Sequence, residues 1–118
     1  MNYNSDFSHD LELGKKGENL LAKILLLTGD KIEVKTDLQA TQTGNVFIEY
    51  KSRNKLSGIS TTKAHYWAFV ISNEQIIIVE TNKLKQLCKS KGVKRVDGGD
   101  NNTSKGILLP LNKLTKKL

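Results

Sequence analysis

Two apolar runs stand four polar residues apart in the middle of this chain: Tyr66-Trp67-Ala68-Phe69-Val70-Ile71, then Ser72-Asn73-Glu74-Gln75, then Ile76-Ile77-Ile78-Val79. Strand formers on both sides of so short a polar break predict an antiparallel hairpin buried on both faces. Upstream, residues 10–28 read as a helix. Its residues Leu13, Gly17, Leu20, Leu21, Ile24 and Leu25 fall on one broad arc, with Lys15, Lys16, Asn19 and Lys23 opposite, so the helix is expected to pack on a sheet. Residues 31–36 then alternate as a half-buried strand with Ile32 and Val34 on one face, and Asp37 starts a polar turn region over 38–45.

Residues 46–51 are apolar at their start and charged at their end, and read as a central strand. Beyond the hairpin, Thr81 is expected to cap a helix over 82–91 that Gly92 ends. A segment at 93–96, a Gly/Asp/Asn-rich loop over 97–105, a short 107–109 segment and a helix after Pro110 form a small C-terminal extension. This order predicts an α/β sandwich with a mixed central sheet flanked by helices, as a single domain over 1–118 with a loose tail over residues 1–9.

The single cysteine, Cys88, has no disulfide partner within the chain, and the histidines are too few for a zinc site. The first residues lack the basic then apolar order of a signal peptide, and no apolar run approaches membrane-spanning length. A soluble, cytoplasmic protein of a bacterium or a phage-infected cell is expected, with no membrane partner. Charge is distributed unevenly. Residues 1–80 hold nine basic and ten acidic side chains, whereas residues 81–118 hold ten basic and two acidic, a net of +8. Such clustering suits a polyanion, and equally suits a Lys-rich solvated surface.

Hydrolysis of a phosphodiester requires a divalent cation on oxygen ligands, a positioned water and a cation against the developing charge. On a strand, side chains two apart share a face, so Glu49 and Lys51 are expected to point one way and Tyr50 the other. Asp37, at the end of the preceding strand, is placed to bring a second carboxylate to Glu49. The tripeptide alone says little. Twelve acids and seventeen lysines in 118 positions give roughly 1.7 acid-x-Lys matches by chance, and the sequence holds two. The other match, Glu33-Val34-Lys35, has no acid at a useful distance before it and is set aside as a strand-surface pair.

Glu18 lies at the edge of the first helix's apolar arc, either tipped toward the sheet or as an ordinary first-turn acid favoured by the helix dipole. The segment 57–63 is rich in donors: the Gly58 amide and its neighbours, the hydroxyls of Ser57, Ser60, Thr61 and Thr62, and the Lys63 ammonium suit phosphates, or form a solvated loop. His65, Trp67 and Phe69 are read as structural, and the loop at Asp97 to Asp100 as a turn.

Gly14-Lys15-Lys16-Gly17-Glu18 resembles the G-x-x-G-E that opens the first helix of many PD-(D/E)XK nucleases, archaeal Holliday-junction resolvases among them. Asp37 then matches the family's strand-end Asp, with Thr36 where the motif name has Pro, and Glu49-Tyr50-Lys51 matches its (D/E)-x-K. The similarity runs from about residue 14 to residue 79, and residues 43–64 resemble a small phage and bacterial subgroup. It implies an αβββαβ restriction-endonuclease-like core and a Mg²⁺ or Mn²⁺ ion held by Asp37, Glu49, the Tyr50 carbonyl and Glu18. It also implies that Lys51 orients the attacking water or the phosphate.

The expected activity is that of a metal-dependent endonuclease on branched DNA, with a general or single-strand nuclease and a non-cleaving DNA-binding module as alternatives. A homodimer would match a two-fold junction. Lys83, Lys85, Lys89, Lys91, Lys94 and Arg95 are the expected phosphate contacts in the basic last third.

Overall fold

A computed structural model of the chain describes residues 31–115. The helix read over 10–28, Glu18 within it and the tail over 1–9 lie outside the described residues. The fold is of mixed α/β class. Its elements are β1 (Ile32–Thr36), α1 (Ala40–Thr43), β2 (Asn45–Ser52), β3 (Lys55–Leu56), β4 (Tyr66–Val70), β5 (Ile76–Glu80), α2 (Thr81–Cys88), β6 (Lys94–Gly98), β7 (Ser104–Pro110) and α3 (Leu111–Thr115), with one-turn 3-10 helices at Gly58–Ser60 and Asp100–Asn102.

The strands form two sheets where the sequence predicted one. The first, in the order β1-β4-β5, is mixed: β1 runs parallel to β4, and β4 antiparallel to β5. Parallel neighbours need a crossover of a dozen or more residues. Here the crossover between β1 and β4 contains β2 and β3, which pair elsewhere. They build the second sheet, β3-β2-β7-β6, antiparallel throughout. Residues 93–109 are therefore no peripheral extension: β7 lies beside β2 along seven paired positions and buries Ile107 and Leu109.

The inner faces of both sheets share one apolar cluster. Trp67 and Phe69 from β4 meet Val46 and Ile48 from β2, Ile107 and Leu109 from β7, and Leu84 and Cys88 from α2. On the other face of β4, Ala68 and Val70 pack with Ile32, Val34 and Ile76, as the alternation of β1 predicted. The hairpin is antiparallel as expected, and the Ser72 hydroxyl shapes its turn by accepting from the amides of Glu74 and Gln75, both at 3.1 Å. Of the two hairpin strands, β4 is buried on both faces and β5 is not. β5 is an edge strand, and Ile78 keeps 51% of its surface exposed.

Thr81 does not cap its helix either. It is the first residue of α2, and its hydroxyl donates to the Ala64 carbonyl at 2.8 Å. The helix ends at Cys88, short of the expected residue 91.

On the outer side of the second sheet the Phe47 ring lies across Gly106 and Gly98, filling space that no larger residue would leave. A Cβ on Gly98 would stand 2.9 Å from Phe47 Cζ, and one on Gly106 would run into the ring. Gly106→Ala is therefore expected to destabilise the protein by about 1–3 kcal/mol, as overpacking does. A shift of the urea midpoint to lower concentration, with the m-value unchanged, checks this.

Candidate active site on the β2 edge

Asp37 follows directly on β1 and joins the two sheets. Its backbone amide donates to the Val70 carbonyl at the end of β4, at 2.9 Å, and its Oδ2 accepts from the Phe47 amide of β2 at 3.4 Å. Phe47 and Glu49 share a strand face, so the two carboxyl-bearing residues meet the β2 backbone two positions apart, roughly 7 Å along the strand. The sequence expected Asp37 to return to the vicinity of Glu49; its carboxylate meets β2 at the Phe47 amide, two residues before Glu49.

Glu49 is half-buried and held from the other side. The Ser57 hydroxyl donates to Glu49 Oε2 at 2.9 Å. Gly58, at φ +53°, crosses directly over the Glu49 backbone, where any Cβ would collide with the Glu49 carbonyl. The segment can lie this close because Gly58 has no side chain and tolerates the left-handed conformation.

Each carboxylate thus has one oxygen engaged. Asp37 Oδ1 and Glu49 Oε1 accept no hydrogen bond from the described residues. Carboxylate oxygens are the donors that a small hard cation such as Mg²⁺ or Mn²⁺ takes, through one or two carboxylates with several waters kept. Among the described residues no group of three or more His, Cys, Asp or Glu could hold a metal ion. Glu18, the third expected acid, is outside the described residues.

Two expectations for the tripeptide change. β2 carries a one-residue register shift: Glu49 stands opposite Gly106, but Lys51 stands opposite Lys105. Gly106 and Lys105 are on opposite faces of β7, so the bulge breaks the alternation that would place Glu49 and Lys51 together. Lys51 follows the face of Ile48 and Tyr50. The Tyr50 carbonyl, expected as a metal ligand, accepts from the Ser57 amide at 3.1 Å and the Ser60 hydroxyl at 2.9 Å. A carbonyl oxygen has two lone pairs, and these bonds occupy both.

The donor-rich segment is also largely turned inward. The amides of Ser60, Thr61 and Thr62 donate to the carbonyls of Ser57 and Gly58. Thr62 Oγ1 accepts from the Ala64 amide at 3.2 Å and from Trp67 Nε1 at 3.3 Å, so its hydroxyl serves the core rather than a phosphate. Thr61 and Lys63 are exposed. His65 Nδ1 accepts from the Lys31 amide at 3.1 Å, the structural role the sequence suggested.

Three basic residues of the last third gather around a cleft of about 410 Å³ that the sequence did not reveal. Lys85 from α2, the adjacent Lys89 and Arg95 from β6 line it, together with Tyr50 and Ser60. Lys83 is half-buried on α2, and Lys91 and Lys94 are exposed beyond it. A second cleft of about 420 Å³ runs past Lys63, Glu80, Asn82 and Lys85. Only the turn of the helix brings Lys85 and Lys89 to one side and sets them opposite a strand distant in sequence, which no local pattern announces.

Compared with known proteins, the chain matches no family model, no curated sequence and no solved structure.

Two predictions follow from this geometry. Thr62→Val leaves the buried Trp67 indole N–H without its acceptor and is expected to cost about 1–3 kcal/mol in chemical denaturation. For Cys88, burial pushes the thiol from 9.0 up to about 11, because the thiolate is disfavoured in an apolar setting. A raised thiol pKa contributes stability that is fully present below about pH 9 and is lost as pH rises toward about 11. Unfolding measured across that window should show a downward slope that is shallower in Cys88→Ala.

Proposed function

We propose that the protein is a metal-dependent DNA endonuclease whose acid pair is Asp37 and Glu49, on a restriction-endonuclease-like variant of the α/β fold. One observation carries this reading: the Asp37 carboxylate is fixed against the β2 backbone two residues from Glu49, with one oxygen of each acid unengaged among the described residues. Asp37 and Glu49 would hold Mg²⁺ or Mn²⁺, with Glu18 as a third ligand. Bound there, the ion would supply charge neutralisation at the phosphate and a more acidic water. Ser57 fixes the Glu49 carboxylate and Gly58 holds the Ser57 turn against it. Lys51, beyond the bulge, contributes positive charge to the strand end rather than a contact beside Glu49.

The resemblance to junction resolvases supports branched DNA as the substrate and a homodimer as the acting unit, since two symmetric nicks need two centres. A second reading, a DNA-binding module that does not cut, draws support from the bulge, which removes Lys51 from the Glu49 face, and from the engaged Tyr50 carbonyl.

One cleavage panel separates these readings: four-way junction, fork, duplex, single strand and RNA with Mg²⁺, Mn²⁺, Ca²⁺ or excess EDTA. Cutting is expected with Mg²⁺ or Mn²⁺, and binding without cutting in Ca²⁺. Asp37→Asn and Glu49→Gln should each lower the cleavage rate by about a hundredfold or more while leaving DNA binding nearly intact, because the lost interaction matters mainly in the transition state. Lys51→Ala should cost less than either. Wild-type rates in Glu49→Gln, or undiminished cutting in EDTA, would refute the assignment. Binding to all DNAs with no cutting of any would establish the second reading. Light scattering tests the dimer, and equal affinity for junction and linear duplex would exclude a junction preference.

A further inference from the structure

The cleft beside α2 has a composition that neither the acid pair nor general phosphate tracking explains. Lys85 and Lys89 stand one helical turn apart, a spacing at which like charges repel, and Arg95 faces them from β6. Among the described residues no Asp or Glu lines the cleft, so three positive charges converge without a balancing acid. An anion entering the cleft would offset that repulsion.

The rest of the lining is of a different kind. Tyr50, Ile59, Ile107 and Cys88 form an apolar and aromatic wall, with Ile59, Ile107 and Cys88 nearly fully buried. The Arg95 guanidinium lies 5.8 Å from the Tyr50 ring centroid, and this cation–π contact holds its planar donors at the rim. The Cys88 thiol stays protonated below about pH 11, so it adds no negative charge. Ser60 Oγ donates to the Tyr50 carbonyl and retains its lone pairs as acceptors toward the cleft.

An apolar wall beside a cluster of cations matches a ligand with an aromatic ring at one end and a phosphate at the other. A phosphate monoester carries nearly two negative charges, which three cations balance better than they balance the single charge of an internal diester. The size, about 410 Å³, falls in the range of small-ligand sites. We propose that this cleft is a binding site for a nucleoside monophosphate, free or as the phosphorylated end of a strand, with the base against Tyr50 and Ile59 and the phosphate among Lys85, Lys89 and Arg95. Tyr50, Ile107 and Arg95 share one face of the second sheet by register, whereas Glu49 follows the other. The site is therefore separate from the acid pair and stands whether or not that pair cuts DNA.

Calorimetric titration of the full chain in EDTA tests this, with dAMP, deoxyadenosine, inorganic phosphate, and a short oligonucleotide with and without a 5′-phosphate. Tenfold or tighter binding of dAMP than of both deoxyadenosine and phosphate, or a tenfold preference for the phosphorylated oligonucleotide, is expected. The first result assigns the free nucleotide and the second the strand end. Lys89→Ala and Arg95→Ala replace exposed side chains and should each weaken that binding at least fivefold with an unchanged thermal midpoint. Glu49→Gln should leave it within twofold, so a failed acid pair and a failed cleft are told apart. Equal affinity for dAMP and deoxyadenosine together with no preference for the phosphorylated end, or full affinity in Arg95→Ala, overturns the proposal.

Discussion

Trp67 and Phe69 project from the middle strand of one sheet into the apolar side of the other, and this shared burial fixes where the remaining elements lie. Both side chains are about 1% exposed, with ring centroids 6.1 Å apart. Fully burying a side chain of this class contributes on the order of 1.5–3 kcal/mol, which exceeds what any single hydrogen bond on the β2 edge provides. The polar atoms that enter the cluster are consequently matched. Thr62 receives the indole N–H, and the Thr81 hydroxyl donates to the Ala64 carbonyl. The turn that carries Thr62 begins at Ser57, so the partner of the core tryptophan and the donor to Glu49 lie five residues apart on one short segment.

Local pattern was enough to read much of this. Alternation placed Ile32 and Val34 on one face of β1, and the two apolar runs around Ser72 gave β4 and β5 their pairing. The apolar start of residues 46–51 identified β2, and the chain path expected of Asp37 leads its carboxylate to β2 at Phe47. What escaped depended on partners far away in sequence. β2 joins β7, some sixty residues later, and nothing near Val46 tells that its neighbour is Leu109. The bulge was illegible for the same reason. A period of two assumes an undisturbed ladder, and the extra residue at Tyr50 exists only relative to β7. Thr81 misled because its hydroxyl has a competing acceptor in Ala64, which a capping rule does not consider.

The bulge divides the second sheet into chemically distinct sides. Before it, Phe47 and Glu49 follow the face of Gly106 and Leu108. After it, Lys51 follows the face on which Tyr50 and Arg95 border the cleft. Acid and base therefore separate across one strand, although the sequence writes Glu49 and Lys51 two positions apart. Bulges commonly re-aim side chains near functional sites, and here the effect is to turn Lys51 away from the face that carries Glu49.

The pairing of β2 with β7 also orders events in time. A chain emerging from its amino-terminal end completes β1, β2, β4 and β5 long before residues 104–110 exist, so Val46 and Ile48 have no strand beside them on that edge until β7 is made. Closing so long a loop is slow compared with forming the β4–β5 hairpin, whose strands are separated by a five-residue connection. The first sheet can assemble early and the second only after β7 has emerged. During synthesis the unprotected edge of β2 is open to pairing with another chain.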